Sequence, residues 1–357
     1  MMLMITPSPD FERVRKALLR QEPDRVPLME LLVDREVKDA FLGRPCADVE
    51  AEVEFWYKAG YDYVSLVPSY SFNPAGRRPK EGERVGVAKY DAYHAEPQSK
   101  SWATESRGII TSWQDFEEHV WQRPEEVDYS ILEDAAKILP DGMQIIARTG
   151  DIFTHTWQLM GYETFCYALA EQPDLVEAIF RKVGEHIYAV FKTMVDMPAI
   201  GAFWYCDDIA YTEGLLASPR VFRKNLFPWI KKIGALAKKK GVPYIYHTDG
   251  VLWEVFDDLI DCGIDAIHPI EPKAMDIVEV KRKLGRKLAV IGNIDLGFTL
   301  VLGTPEKVEA EVREKIKALA PGGGYLLGSS NTIANYVPLR NYLAMIEATF
   351  KYGKYPV

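Results

Sequence analysis

Eight short apolar segments alternate with amphipathic segments, and this alternation most constrains the fold of the chain. The apolar segments predict strands at residues 25–32, 61–67, 144–148, 202–205, 242–247, 266–269, 287–291 and 325–327. Most of the intervening segments carry apolar residues at positions i, i+3 and i+4, the spacing of an amphipathic helix. Several strands are apolar without alternation, as in strands covered on both faces. Eight strand–helix repeats predict an α/β protein of the (β/α)8 TIM-barrel class.

The main alternative is a doubly wound open sheet, which normally has a glycine-rich phosphate loop after its first strand. The chain contains no G-x-G-x-x-G motif, so the barrel is favoured. Residues 74–121 interrupt the alternation, and we interpret them as an insertion between the second and third predicted strands. Their alternating stretches predict an antiparallel hairpin that forms a lid. No linker rich in Pro, Gly or Ser divides the chain, so residues 1–357 are expected to form a single domain.

Composition excludes several classes of protein. The net charge of −9 argues against a nucleic-acid partner, because phosphate contacts need a basic face. No apolar run is long enough to span a bilayer, and the apolar start of the chain is too short for a signal peptide, so a cytoplasmic location is expected. The four cysteines lie far apart without a C-x-x-C motif, which indicates neither a disulfide framework nor a zinc knuckle.

The ends of the predicted strands are unusually polar. In α/β barrels the active site lies at the carboxyl ends of the strands. Burying so many polar groups at one rim is costly unless they serve one another or a ligand. We therefore expect a functional site here. The candidate residues at or just after the strand ends are Arg148, His155, Asp207, Asp208, His247, Asp249, Glu271, Asn293 and Ser329.

His247 and Asp249 are the strongest pair among these candidates. Residues i and i+2 at a strand end project to the same side. An imidazole beside a carboxylate supplies either a general acid with a raised pKa or a pair of metal ligands. The competing interpretation is that Asp249 caps the next helix and His247 is a buried structural histidine. Position at the rim favours the functional interpretation.

The remaining acids have more balanced interpretations. Asp207 and Asp208 are adjacent, so one side chain is expected to face the cavity and the other to bond the backbone. Glu271 lies between Ile270 and a proline, a constrained position that suits an aimed carboxylate. A loop-capping role is equally compatible with each acid. We assign Asp207 and Glu271 as catalytic candidates, whereas His268 fits packing better.

Aromatic residues near the strand ends predict the walls of a ligand pocket. Trp157, Tyr205 and Tyr246 would suit a flat aromatic ligand, although burial in the core is the default for such residues. The other predicted substrate-binding residues are Arg148, His155, Asn293 and Ser329.

Several motifs resemble those of the uroporphyrinogen decarboxylase superfamily. They are RVPL at the first strand, HTDGVL, GIDAIHPIEP, AVIGNID, PGGGYLLGSS and the final YGKYP, and the resemblance covers essentially the whole chain. The resemblance implies a (β/α)8 barrel. It also implies one of two activities, namely porphyrinogen decarboxylation or transfer of a methyl group to or from the cobalt of a corrinoid carrier protein.

The decarboxylase branch is similar only in part. Its members carry an Arg-Gln-Ala-Gly-Arg motif after RVPL and a catalytic Asp in a Phe-Ser-Asp context after the second strand. Here residues 29–35 read MELLVDR, and the second strand reads YVSL without that motif. A substrate with eight carboxylates needs cations around it. The resemblance therefore favours methyl transfer, with decarboxylation as an alternative.

The thiol-methylating branch binds zinc through a His-x-Cys motif on strand five and a further Cys on strand eight. Here the first motif reads His247-Thr248-Asp249, and the later position falls near Ser329 or Ser330. Both thiolates are missing, so a Cys-ligated zinc is not expected. A harder zinc site formed by His247, Asp249 and Glu271 stays open.

A third branch of the superfamily resembles the first component of O-demethylase systems, and the chain is similar to this branch. The resemblance then implies transfer of a methyl group from a small donor, an aromatic methyl ether, to the Co(I) of a separate corrinoid protein. In that mechanism a protonated His247, held by Asp249, would protonate the departing phenolate. Asp207 or Glu271 would assist, and Asn293 would orient the donor. A non-catalytic ligand-binding barrel is the third hypothesis.

Overall fold

A parallel sheet forms the centre of the protein. The computed structural model describes residues 5–77 and 108–357 and, between them, only the backbone of residues 87–90 and 98–101. The strands are β1 (Tyr63–Leu66), β2 (Val87–Tyr90), β3 (Gln98–Ser101), β4 (Gln144–Gly150), β5 (Ile200–Cys206), β6 (Ala210–Tyr211), β7 (Gly214–Leu215), β8 (Tyr244–His247), β9 (Ala266–His268), β10 (Ala289–Ile291) and β11 (Tyr325–Leu326). Seven of them form the parallel sheet in the order β1-β4-β5-β8-β9-β10-β11, whereas β2–β3 and β6–β7 are separate antiparallel pairs.

The segment predicted as the first strand lies between the two ends of this sheet. Leu28 forms a parallel bridge with Leu327 next to β11, and the Met29 N–H donates to the Leu327 carbonyl at 2.7 Å. On the other side, the Ser65 hydroxyl of β1 donates to the Leu31 carbonyl at 2.8 Å. The segment thus pairs through isolated bonds instead of a continuous ladder. This arrangement is consistent with the α/β barrel expected from the sequence.

Helices pack against the sheet. They are α1 (Phe11–Leu18), α2 (Arg35–Leu42), α3 (Val49–Lys58), α4 (Trp113–Glu117), α5 (Ser130–Ile138), α6 (Ile152–Met160), α7 (Tyr162–Glu171), α8 (Pro173–Met194), α9 (Pro219–Asn225), α10 (Phe227–Lys240), α11 (Phe256–Asp261), α12 (Ile277–Leu284), α13 (Pro305–Leu319) and α14 (Leu339–Tyr352). A 3-10 turn spans Pro124–Glu126 and a π-helical segment spans Leu296–Val301. The helical pattern of residues 219–240 is divided between α9 and α10, because Pro228 lacks the N–H that would continue the bonding.

The insertion lies between β1 and β4, which correspond to the second and third predicted strands. Its hairpin pairs β2 with β3 in antiparallel register. Residues 109–113, whose alternation favoured a strand, instead lead into α4, and the N–H groups of Ile109 and Ile110 donate to the Leu159 carbonyl of α6. Much of the insertion lies outside the described residues, so its role as a lid stays a prediction.

Side chains of the central strands alternate between two faces. Trp204 of β5 packs edge-on against His268 of β9, with ring centroids 5.1 Å apart. The next residue, Tyr205, stacks on Tyr246 of β8 at 5.3 Å and on Phe191 of α8 at 6.2 Å. Successive strand residues point to opposite faces. Trp204 and His268 therefore occupy the inner face, and Tyr205 and Tyr246 occupy the helix-covered face.

Candidate active site

Three side chains meet at the carboxyl ends of β5 and β8. Asp208, His247 and Asp249 each offer one ligand atom, and these atoms lie within 4.8 Å of one another. The Nε2 atom of His247 is 3.7 Å from Oδ1 of Asp208. His247 and Asp249 come together because they are two residues apart at the end of one strand. We call Asp208, His247 and Asp249 the rim cluster.

A second histidine positions His247. The Nδ1 atoms of His247 and His268 are 2.8 Å apart, so one ring donates an N–H to the other. Both rings are buried, and burial lowers the pKa of each. Desolvation disfavours the protonated form of each ring. The hydrogen bond that positions the His247 ring thus comes from His268, which does more than pack, and the protonation of His247 beside Asp249 stays a prediction.

Asp249 is held by an amide and surrounded by other acids. The Nδ2 group of Asn331 donates to Oδ1 and Oδ2 of Asp249 at 3.1 and 2.9 Å. The Asp249 N–H in turn donates to Oδ1 of Asp208 at 3.1 Å. Burial, together with the charges of Asp208 and Glu271, raises the pKa of Asp249 to about 8. A carboxyl group of this kind holds a proton at neutral pH, which is the property of a general acid.

Asp207 points away from the rim cluster. Its carboxylate accepts hydrogen bonds from the N–H groups of Phe153 and Thr154 at 2.8 and 2.9 Å, and from the Thr154 and Tyr205 hydroxyls at 2.9 Å. Of the two adjacent acids, Asp207 is thus the one that bonds the backbone, and Asp208 is the one that faces the site. The catalytic candidate at this position becomes Asp208, because adjacent residues point to opposite sides.

Glu271 lies beside the rim cluster without belonging to it. Its Oε2 atom accepts from the Gly250 N–H at 3.0 Å, and Oε1 is 3.2 Å from Nζ of Lys273. These contacts fix the loop that follows Asp249. Gly250 has φ of +87°, and a Cβ there would lie 2.4 Å from the backbone nitrogen of Tyr211, so only glycine suits this turn.

The rim cluster fits a zinc ion. Imidazole nitrogen and carboxylate oxygen are zinc ligands, and three protein ligands with one open position are typical of catalytic sites. Outer hydrogen bonds from His268 and Asn331 orient His247 and Asp249, as such ligands require. Asp208 takes the place that the sequence suggested for Glu271.

Two cavities open at this end of the sheet. One of about 520 Å³ is bordered by Asp249, Glu271, Asn331 and Phe298, among others. The other, of about 370 Å³, is bordered by His155 and by residues of the loop after β1. Both volumes lie in the range that small-molecule sites occupy.

The two predicted aromatic wall residues on strands lie elsewhere. Tyr205 and Tyr246 are fully buried on the helix-covered face, and neither borders the cavities described above. The sequence interpretation overlooked the alternation of the strand, which places a residue one step before the rim on the opposite face. The structure thus assigns both tyrosines to the core.

The other predicted substrate-binding residues are dispersed. Trp157 of α6 packs edge-on against Tyr162 with centroids 5.6 Å apart. Asn293 donates from Nδ2 to the Ile270 carbonyl at 2.7 Å, and its buried Oδ1 has no hydrogen-bond partner among the described residues. Ser329 is fully buried and donates to Oε2 of Glu30 at 2.7 Å, so its hydroxyl serves that carboxylate. Their roles toward a substrate stay predictions.

Arg148 lies on the inner face of β4. Its register partner is Trp204, and its Nε atom is buried without an acceptor in the part of the chain that the structure describes. The prediction of Arg148 as a ligand-binding residue is compatible with this position.

Sequence reasoning missed four residues that shape the site, namely Asp208 as the cavity-facing acid, His268, Asn331 and Glu30. The alternation of side chains along β5 would have selected Asp208. Cys206 is the register partner of His247, and Asp208, two residues after Cys206, points to the same face. Glu30 also had a signal, because a carboxylate inside the apolar segment PLMELLV is unusual for a buried strand. Asn331 had none beyond its place at a strand end.

Comparison with known proteins shows one family. The model of the uroporphyrinogen decarboxylase (URO-D) family matches residues 107–352. A solved structure of a methyltransferase from Methanosarcina mazei superposes with a TM-score of 0.66 at 20% identity, covering 95% of this chain and 98% of that one. At this identity the likeness shows the fold alone.

Curated relatives carry two different activities in their names. A methylcobamide:CoM methyltransferase MtaA from Methanosarcina barkeri is 28% identical over 220 residues, which is 60% of each chain. A uroporphyrinogen decarboxylase from Dechloromonas aromatica is 25% identical over 192 residues, 52% of this chain and 51% of the relative. The chain thus spans between half and three fifths of these relatives' lengths. Among the described helices, none combines the length and apolar character needed to cross a membrane.

Proposed function

We propose, because the chain belongs to the uroporphyrinogen decarboxylase family, that it moves a methyl group from a small donor to the Co(I) of a corrinoid protein. The observation that carries this proposal is the rim cluster, in which the Asp249 carboxyl group, whose pKa is raised to about 8, borders a cavity of about 520 Å³. The similarity to MtaA, whose name specifies a methylcobamide reaction, supports it. A cytoplasmic location and a single domain of 1–357 belong to the same proposal.

The proposed donor is an aromatic methyl ether. Asp249 stands where the resembling thiol-methylating branch has a cysteine, so a soft zinc–thiolate site is unlike this one. The larger cavity has room for one substituted ring, and Phe298 and Tyr336 supply apolar walls for it. An ether oxygen also needs the proton donor that a thioether would not.

The residues of the rim cluster divide the chemistry between them. The bond between the methyl carbon and the ether oxygen breaks, its electron pair stays on the oxygen, and the methyl carbon bonds to cobalt. Asp249, with a pKa of about 8, gives its proton to the departing phenolate. Asn331 fixes the orientation of that carboxyl group, and burial together with the charges of Asp208 and Glu271 raises its pKa.

If zinc is bound, Asp208, His247 and Asp249 would hold it, and it would supply Lewis-acid polarisation of the ether oxygen. The same three side chains would then act as ligands, with His268 and Asn331 orienting them.

The surroundings of the site are unfavourable for a porphyrinogen. Asp208, Glu271 and Asp295 place acidic side chains around one cavity and its edge. A substrate with many carboxylates would be repelled there, since like charges within a few ångströms of one another disfavour binding. The geometry therefore supports methyl transfer over decarboxylation.

The direct test follows cobalt. The purified chain is mixed with a corrinoid protein reduced to Co(I) and with methoxybenzene-type donors, and methylation is read from the cobalt absorbance. Asp249→Asn is expected to slow transfer about 100- to 10,000-fold, the usual contribution of a general acid. Asp257→Asn, at an exposed carboxylate of α11, is the matched control and should transfer at the parent rate.

Other results would redirect the proposal. Full activity of Asp249→Asn would remove the proton-donor role. Methyl exchange with coenzyme M alone would indicate a thiol substrate instead of an ether. Release of CO₂ from a porphyrinogen would indicate decarboxylation instead of methyl transfer.

A further inference from the structure

We propose that the smaller cavity, of about 370 Å³, is a second binding site and takes a small aromatic carboxylate. It lies between the loop after β1 and helix α6. None of the described residues that border it also borders the larger cavity beside the rim cluster. Binding at this site does not depend on the proposed methyl transfer.

Aromatic rings and aliphatic side chains line this cavity. The ring centroid of Phe72 lies 4.6 Å from that of His155 and 5.7 Å from that of Tyr70, and the ring planes are steeply inclined. Leu159 and Ile109 add aliphatic surface to the lining. Rings arranged in this way offer edge-on or offset contacts to a further ring. The volume of the cavity is also within the range of small-molecule sites, so the lining favours a ligand with a flat apolar body.

Arg77 gives the same cavity a positive charge. No aspartate or glutamate occurs among the described residues that border it, whereas Asp249, Glu271 and Asp295 border the larger cavity. An arginine side chain stays charged and can only donate hydrogen bonds. In a chain with a net charge of −9, a cavity lined in this way stands out as the one suited to an anion.

The pairing of Arg77 with Asp115 leaves room for a ligand. Oδ1 of Asp115 is 3.9 Å from Nη2 of Arg77, and Nη1 of Arg77 donates to the Asp115 carbonyl at 3.3 Å. The other carboxylate oxygen, Oδ2, accepts hydrogen bonds from Thr111 and Ser112. A guanidinium has five N–H donors, so donors remain for a second acceptor. A ligand carboxylate can take the close, paired geometry that Asp115 does not reach.

Hydrogen bonds hold this lining in place without a ligand. The Asn73 side chain donates to the Arg77 carbonyl at 2.8 Å and accepts from the Arg77 N–H at 2.9 Å. Nε2 of His119 is 2.8 Å from the Phe72 carbonyl oxygen. The cation and the ring thus stand on a fixed loop, which reduces the ordering that binding would otherwise require.

Calorimetry with three small probes tests this site on the purified chain. Benzoate carries both the ring and the charge, benzamide keeps the ring without the charge, and acetate keeps the charge without the ring. The parent should bind benzoate about 10-fold more tightly than benzamide, because only benzoate forms a charge-assisted contact with Arg77. Acetate should bind more weakly than benzoate by at least about 10-fold, because it buries no ring.

Variants assign the binding to this cavity. Arg77→Met should weaken benzoate about 10-fold and leave benzamide unchanged, and Arg77→Lys, which keeps the charge, should recover part of the affinity. Ile109→Trp places a large ring at the cavity and should weaken both benzoate and benzamide. Arg123→Met removes an exposed arginine that pairs with Glu126 and is the matched control, which should bind all three probes as the parent does.

The larger cavity provides the comparison. Asp249→Asn alters its lining and should leave benzoate binding at the parent affinity, because the two cavities share no described lining residue. Absence of benzoate binding, equal affinity of the parent for benzoate and benzamide, or unchanged benzoate binding by Arg77→Met would each overturn the site. Benzoate binding that changes in Asp249→Asn and not in Ile109→Trp would place the ligand in the larger cavity and overturn it as well.

Discussion

At the scale of single residues, the inside of the protein holds a second acid whose surroundings keep it neutral. Glu30 is fully buried, and burial raises its pKa from the ordinary 4.5 to about 8. Two donations from Ser329, the N–H to Oε1 at 2.6 Å and the hydroxyl to Oε2 at 2.7 Å, favour the charged form without offsetting burial. The Glu30 N–H also donates to the hydroxyl of Tyr63, so Glu30 lies where the segment of residues 25–32 contacts β1.

This shift predicts a stability that depends on pH. The folded state keeps the Glu30 proton up to pH about 8, whereas the unfolded chain loses it near 4.5. The contribution to stability is therefore complete below pH 4.5 and is lost as pH rises through 8. Glu30→Gln cannot ionise and should be more stable than the parent at pH 9 by about 2–4 kcal/mol, with little difference at pH 5.

Chemical denaturation at pH 5, 7 and 9 measures the effect. Glu314→Gln, at an exposed position on α13, is the matched control and should keep the parent's pH dependence. Identical pH profiles for the parent and Glu30→Gln would mean that Glu30 is already charged in the folded protein.

At the scale of elements, Asp207 joins the end of β5 to the first turn of α6. Its four donors come from Phe153, Thr154 and Tyr205, so one carboxylate satisfies N–H groups that begin a helix. Negative charge is also favourable at a helix amino terminus. The same carboxylate sets the direction of the chain just before Asp208 enters the rim cluster.

Substitution of Asp207 should therefore reduce stability much more than substitution of the adjacent Asp208. Asp207→Ala leaves several buried donors unpaired and should lower the free energy of unfolding by about 3–5 kcal/mol. Asp208→Ala, at an exposed side chain, should cost less than about 1 kcal/mol. Thermal and denaturant unfolding give both values. Comparable stability losses for the two variants would contradict the division between a structural and a site-facing acid.

The sequence predicts where the strands lie better than it predicts the face to which each side chain points. Seven predicted strands coincide with sheet strands to within about two residues at most ends, because buried apolar runs between helical patterns are distinctive. The rim location of His247, Asp249 and Glu271 follows from the same pattern. Which face a side chain takes depends on register, which neighbouring strands determine. That is why Asp207, Tyr205 and Tyr246 seemed suitable for the site and lie outside the rim cluster.

A single sequence does not reveal which distant segments contact one another at the site. His268 meets His247 across two strands, and Asn331 reaches Asp249 from a loop 82 residues away. Each of these residues has an ordinary local context, so only the folded barrel shows that they support the same site.

At the scale of the whole molecule, the two ends of the sheet differ in character. The carboxyl end carries the rim cluster, the larger cavity and exposed apolar side chains of the π-helical segment and its end, with Phe298 78% and Leu302 61% exposed. Exposed apolar groups beside a cavity are typical of a docking surface. The proposed reaction needs cobalt at the cavity mouth, so a corrinoid protein would cover this end.

Leu302 allows that docking to be tested without altering the cavity. Its side chain is exposed and is absent from the residues that border the described cavity. Leu302→Ser should lower kcat/KM for the corrinoid protein by about 10-fold, the effect of removing roughly 1.4 kcal/mol of interface contact. The KM for the methyl donor and the melting temperature should stay at the parent values, because neither depends on that contact.

An exposed apolar residue at the other end of the sheet provides the comparison. Ile138 ends the helix that leads into β4, so it lies where the strands begin, and it is 39% exposed. Ile138→Ser removes a similar apolar surface and should leave kcat/KM for the corrinoid protein unchanged. Titration of both variants with the reduced corrinoid protein decides the point. An equal loss in both would attribute the effect to general surface polarity, whereas a loss confined to Leu302→Ser places the partner over the carboxyl end, where the methyl group must leave.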